Sequence, residues 1–81
     1  MTNNELEHMN IWTKVLNRSN ELFSLAMKEK DPARAKLLKN RAETLAHEFS
    51  AQGTIRKRRG MTEEQLRSSI SHAKILLTSQ G

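Results

Sequence analysis

Cysteine is absent from this chain of 81 residues. Disulfide bridges and thiolate metal sites are excluded with it, and these are two of the devices that compensate for a small core. A chain of this length buries only about 60–65% of its unfolded surface. One domain is expected, held by close helix packing or by self-association. Glycine occurs three times, at Gly53, Gly60 and Gly81, which leaves no glycine-rich loop to cradle a phosphate. Tyrosine is missing, and Trp12, Phe23 and Phe49 are the only aromatic residues. All three fall on predicted core faces, so the interleaved aromatics that stack single-stranded bases are lacking. No apolar run approaches the ~20 residues of a membrane span. The opening Met1-Thr2-Asn3-Asn4-Glu5 has no basic-then-apolar signal pattern. These absences, with a composition compatible with a reducing compartment, lead to the expectation of a cytoplasmic protein without a membrane partner. Neither an internal repeat nor a low-complexity tract is visible.

What is present is a local excess of positive charge. Lys and Arg number 14 against 9 Asp and Glu, a net of +5. Four of the cations are consecutive: Arg56, Lys57, Arg58 and Arg59, between Gly53-Thr54-Ile55 and Gly60. Without them ten bases face nine acids and the net falls to +1. A concentration of this kind bears on partners rather than on fold.

The rest of the chain reads as helix. Thr2 and Glu5 have the spacing of a capping box. Met9, Trp12, Leu16, Phe23 and Met27 then recur at three-, four- or seven-residue steps, with Ser19 in the remaining slot of the seam. Ile11, Val15, Leu22, Leu25 and Ala26 lie beside them. Together the two sets span roughly half the helix circumference, more than the ~100° stripe of a surface helix. The first helix, about 3–30, is therefore expected at the centre of the domain or against a second protomer. Asp31-Pro32 ends it and starts the next, with Asp31 as N-cap and Pro32 as the first helical residue. The second helix, about 32–52, has Ala35, Leu38, Ala42, Leu45, Ala46 and Phe49 as its core face. Gly53 is placed to close it in the left-handed conformation. So short a connection makes the two helices an antiparallel hairpin. After a basic loop at 53–61, Thr62 and Gln65 form a second capping box, and Met61 and Leu66 a hydrophobic staple. Glu63 and Glu64 suit the positive end of the helix dipole. The third helix, about 63–78, presents Leu66, Ile70, Ala73 and Leu77, with Leu76 alongside and Ile75 pointing away. The expected fold is all-α: a helical hairpin plus a third C-terminal helix, a small three-helix bundle able to dimerise.

The stretch Arg59-Gly60-Met61-Thr62-Glu63-Glu64-Gln65-Leu66 resembles the segment that opens the first helix of the helix-turn-helix in phage-repressor-like regulators. In that motif a turn and a recognition helix follow within about 20 residues. Here Arg67 to Leu77 reads as one uninterrupted helix. The resemblance stops at the helix start, and no recognition residue is carried over.

Three histidines, His8, His47 and His72, lack the i, i+4 spacing of a helical metal pair and are expected at the surface. No catalytic residue, metal ligand or cofactor site is expected. The candidate nucleic-acid site is Arg56, Lys57, Arg58 and Arg59, widened by Lys36 and Lys39, with Arg34 and Arg41 at the flanks, if the second helix faces the same way. Arginine forks and lysine charges suit phosphate, and the lack of exposed aromatics favours backbone contact over base stacking. The expected role is a non-enzymatic nucleic-acid-binding accessory or regulatory protein, DNA or RNA, working as a homodimer. An acidic protein is an alternative partner for the loop. A different class of function is a helical interaction module, an adaptor, inhibitor or small chaperone. It would use Ile11, Trp12, Val15, Leu22 and Leu25 on the first helix as its interface.

Overall fold

The computed structural model describes residues 2–54 and 59–80. These form three α-helices with no strand among them. Helix α1 spans Asn3–Lys28, α2 spans Pro32–Glu48 and continues into a π-helical turn at Phe49–Gly53, and α3 spans Glu63–Ser79. The molecule is an elongated bundle of 44 × 18 × 17 Å. None of its described helices is long and apolar enough to cross a membrane.

The ends of the helices follow local chemistry. Both capping boxes are formed: Thr2 Oγ1 accepts from the Glu5 amide and Glu5 Oε1 from the Thr2 amide. Thr62 and Gln65 repeat the arrangement at the start of α3. Asp31 Oδ1 accepts from the Ala33 amide, with Pro32 as the first helical residue of α2. Helix α1 stops at Lys28 because Glu29 turns extended, at φ −75° and ψ 130°, and its carboxylate accepts the Asp31 amide.

α1 is the central element, and both other helices pack on it. α2 returns antiparallel along α1, with Ser19 Oγ donating to the Ala42 carbonyl at 2.7 Å. α3 starts beside the start of α1, where Asn4 Nδ2 donates to Glu63, and Ser69 lies against His8 and Trp12. Trp12, Val15, Leu22, Ala42, Leu45, Ala73 and Leu76 form one buried cluster. Leu66 and Ile70 are buried as well. The wide apolar arc of α1 is thus shared between two neighbours in its own chain, one on each side.

Three expectations require correction. Gly53 does not close α2 in the left-handed region, since no described glycine has a positive φ. Its lack of a side chain serves a close approach instead: a Cβ there would lie 2.9 Å from Cβ, Cγ and Cδ2 of Trp12. Met27, assigned to the core seam, is 88% exposed. His8 is fully buried rather than at the surface, because its helical face is the one that α3 covers.

Candidate functional site

The basic tract begins just after the π-helical turn and ends at α3. Arg56, Lys57 and Arg58 lie outside the described residues. Arg59 is exposed, two residues ahead of Met61. Both ends of the connection are tied to the bundle. On one side Gly53 is buried against Trp12. On the other the Thr62–Gln65 capping box fixes the first turn of α3. Of the acids nearest in sequence, Glu64 is exposed in the first turn of α3 and two others are engaged elsewhere. Glu48 accepts from Gln52 Nε2 at 3.0 Å and lies 2.9 Å from His72 Nε2, and Glu63 accepts from Asn4.

Beside this connection lies an open cleft of about 460 Å³ lined by Ala51, Gln52, Gly60, Met61, Gln65, Ser68 and Ser69. Its floor is a buried polar cluster. Ser69 Oγ accepts the Trp12 indole N–H at 3.0 Å and shares a hydrogen bond of 3.0 Å with His8 Nε2. The Trp12 ring has two imidazole neighbours, with centroids 6.2 Å from His8 and 6.2 Å from His72. A single hydroxyl therefore ties α3 to two residues of α1. An indole N–H can only donate, so the serine oxygen has to accept from it. A periodicity reading finds none of this, since His8 and Ser69 are polar residues at core positions. Ser69 stands three residues after Leu66 and one before Ile70, and that position on the apolar face was the available signal. Among the described residues no group of three or more His, Asp or Glu is placed to hold a metal.

The other candidate cations lie elsewhere. Lys36 and Lys39 line a groove with Phe23, Ala26, Met27 and Ala35, at the tip of the α1–α2 hairpin. The cleft next to Arg59 lies at the level of His8 and Trp12. At 1.5 Å per residue along α1 the two places are roughly 20–25 Å apart. Lys36 and Lys39 thus stand in a cationic region at the hairpin tip, away from that cleft. Residues 28–41 contain six cations (Lys28, Lys30, Arg34, Lys36, Lys39 and Arg41) against Glu29 and Asp31, a net of +4. Within this segment only Arg34 has an acidic partner among the described residues, Glu29 at 3.7 Å.

Of the candidate partner residues on α1, Trp12, Val15 and Leu22 are buried within the chain itself. Ile11 is half-buried against the core cluster and Leu25 is 47% exposed. The part of that face left at the surface lies toward the hairpin tip. Compared with known proteins, the chain matches no family model, no curated protein and no solved structure.

Proposed function

We propose that this chain is a small non-enzymatic nucleic-acid-binding accessory or regulatory protein that contacts phosphates through the tract Arg56–Arg59. The observation that carries this reading is the localisation of charge. Four consecutive cations stand in a connection anchored at both ends, while Glu48 and Glu63 on either side are held by His72, Gln52 and Asn4. Adjacent cations that outnumber the acids near them attract a polyanion and release its counterions on binding. Contact with the backbone rather than with bases fits the position of the aromatics, since Trp12 is fully buried and Phe23 and Phe49 pack against the core.

A titration of duplex DNA and of RNA at two salt concentrations tests the proposal. Binding that engages all four cations weakens with salt at a log–log slope of about −3.6 on duplex DNA. Arg56→Glu combined with Arg58→Glu abolishes it while the helical circular-dichroism signal stays unchanged. No binding at low salt, or binding unaltered in the double variant, overturns the reading.

The homodimer and the cytoplasmic location belong to the same proposal. α1 leaves Leu6, Leu25 and Met27 exposed and Ile11 half-buried; Leu6 and Ile11, which line one groove away from the cationic tip, are the apolar surface open to a second chain. Sedimentation across a concentration series checks that part independently of nucleic acid.

A further inference from the structure

α3 covers only part of the α1–α2 hairpin, and the open tip combines apolar surface with positive charge. Phe23, Ala26 and Met27, at i, i+3 and i+4 of α1, form one wall of a groove of about 430 Å³. Ala35, Lys36 and Lys39 of α2 form the other. A smaller groove at the tip is lined by Leu25, Lys28, Glu29, Arg34 and Leu38. No residue of α3 reaches either one. Five large hydrophobic side chains are exposed among the described residues, and three of them, Leu25, Met27 and Leu37, are on this half of the hairpin. Met27 is the extreme case at 88%.

The chemistry of the groove discriminates between occupants. A phosphate backbone would use the lysines but gains nothing from a floor of Phe23, Ala26 and Ala35. A second copy docked tip to tip would bring another +4 segment against the first, and like charges in contact oppose association. A bilayer surface could take up the protruding Met27, but Phe23, Ala26 and Ala35 are half-buried between two helices, where a flat surface does not reach them. A helix with an apolar stripe and acidic flanks uses both features. Its stripe fills a groove of this kind at i, i+3 and i+4, and its carboxylates meet the rim cations.

We propose that the groove between α1 and α2 at the hairpin tip docks an acidic amphipathic helix of a partner protein, with apolar side chains seated between Phe23, Met27 and Ala35 and carboxylates on Lys36 and Lys39. This goes beyond the nucleic-acid reading and does not depend on it. The chain then has two contact regions, a phosphate-binding connection that leads into α3 and a peptide-binding groove at the hairpin tip.

The test uses the full chain and a fluorescein-labelled helical peptide of designed sequence, with Leu at i, i+3, i+4 and i+7 and Glu on both flanks. Fluorescence anisotropy reads affinity, and amide chemical shifts read location. Saturable binding is expected, with shifts confined to the region of Phe23, Ala26, Met27, Ala35, Lys36 and Lys39. A peptide of the same composition in scrambled order binds about tenfold more weakly, because the stripe is lost. Lys36→Glu with Lys39→Glu weakens the designed peptide about tenfold at low salt. Met27→Asp does so through the apolar side, and because Met27 is exposed this variant keeps its fold. Arg56→Glu with Arg58→Glu leaves peptide affinity unchanged, which separates failure here from failure of the loop reading. Absence of saturable binding, equal affinity for the scrambled peptide, indifference to the groove variants or shifts elsewhere overturns the proposal. It is also overturned if the groove amides respond to phosphatidylserine vesicles, to duplex DNA or to dimer formation but not to the peptide.

Discussion

Replacing Gly53 with alanine probes the contact that ties the end of α2 to α1. The added Cβ would lie 2.9 Å from three Trp12 atoms, Cβ, Cγ and Cδ2. Carbon pairs are most favourable at about 3.5–4.0 Å, so each of the three is overlapped by more than half an ångström. Trp12 has no easy way to yield. It is fully buried, its N–H is held by Ser69, and the imidazoles of His8 and His72 both neighbour its ring. The clashing atoms are at the root of the side chain rather than at its far end. Overpacking of this type costs about 1–3 kcal/mol, and the rigid neighbour places this case toward the upper end. Against it stands the backbone effect. Gly53 does not have a positive φ, so alanine fits the local conformation and reduces the freedom of the unfolded chain, which stabilises by about 0.4–1 kcal/mol. The steric effect wins, and Gly53→Ala is expected to destabilise by about 1–2.5 kcal/mol. In a chain of this size that is a fall in Tm of about 4–20 °C. Urea denaturation followed by Trp12 fluorescence measures it. Ala51→Gly, at an exposed position in the same π-helical turn, isolates the backbone effect and loses about 0.5–1 kcal/mol. If Gly53→Ala proves as stable as the parent or more so, the close approach to Trp12 does not determine the residue at this position.

The two buried serines separate in the same denaturation assay. Ser69→Ala removes the hydroxyl shared by the Trp12 indole and His8 Nε2, both inside the core. It costs about 1–3 kcal/mol and shifts Trp12 emission, because a buried donor loses its acceptor. Ser19→Ala costs less than about 1 kcal/mol, because Ser19 donates to the Ala42 carbonyl inside α2, where the helix supplies that oxygen with another donor. Equal losses at the two positions would refute this distinction between a hub and a supplementary hydrogen bond.

The helices were legible in the sequence wherever a signal is local. Thr2 with Glu5 and Thr62 with Gln65 satisfy their amides within one turn, and Asp31-Pro32 sets a start that no tertiary contact has to enforce. The breadth of α1's apolar arc also carried real information. An arc wider than one neighbour can cover implies two, and α2 and α3 occupy both sides. Gly53 shows where such reading ends. A glycine after a helix predicts a left-handed cap, since that is its commonest local use. The reason found here is a tryptophan 41 positions earlier in the chain, and a contact of that range leaves no periodic trace.

The same reasoning explains why the candidate surfaces were only partly legible. Net charge can be counted from sequence, so the tract Arg56–Arg59 stands out at once. Whether Lys36 and Lys39 extend it depends on where α3 lies along α1. That placement rests on non-local contacts of polar residues: Asn4 with Glu63, and Ser69 with His8 and Trp12. They set α3 against the N-terminal part of α1, and by doing so they leave the C-terminal part of the hairpin uncovered. Met27 is exposed for this reason, although its spacing from Phe23 and Trp12 is that of a core residue. Periodicity specifies which face of a helix is apolar, but not how far along the helix a neighbour extends to bury it. The apolar groove at the tip is the uncovered remainder of a face whose other part forms the core. Its partner chemistry is therefore set by the charge around it, which is positive.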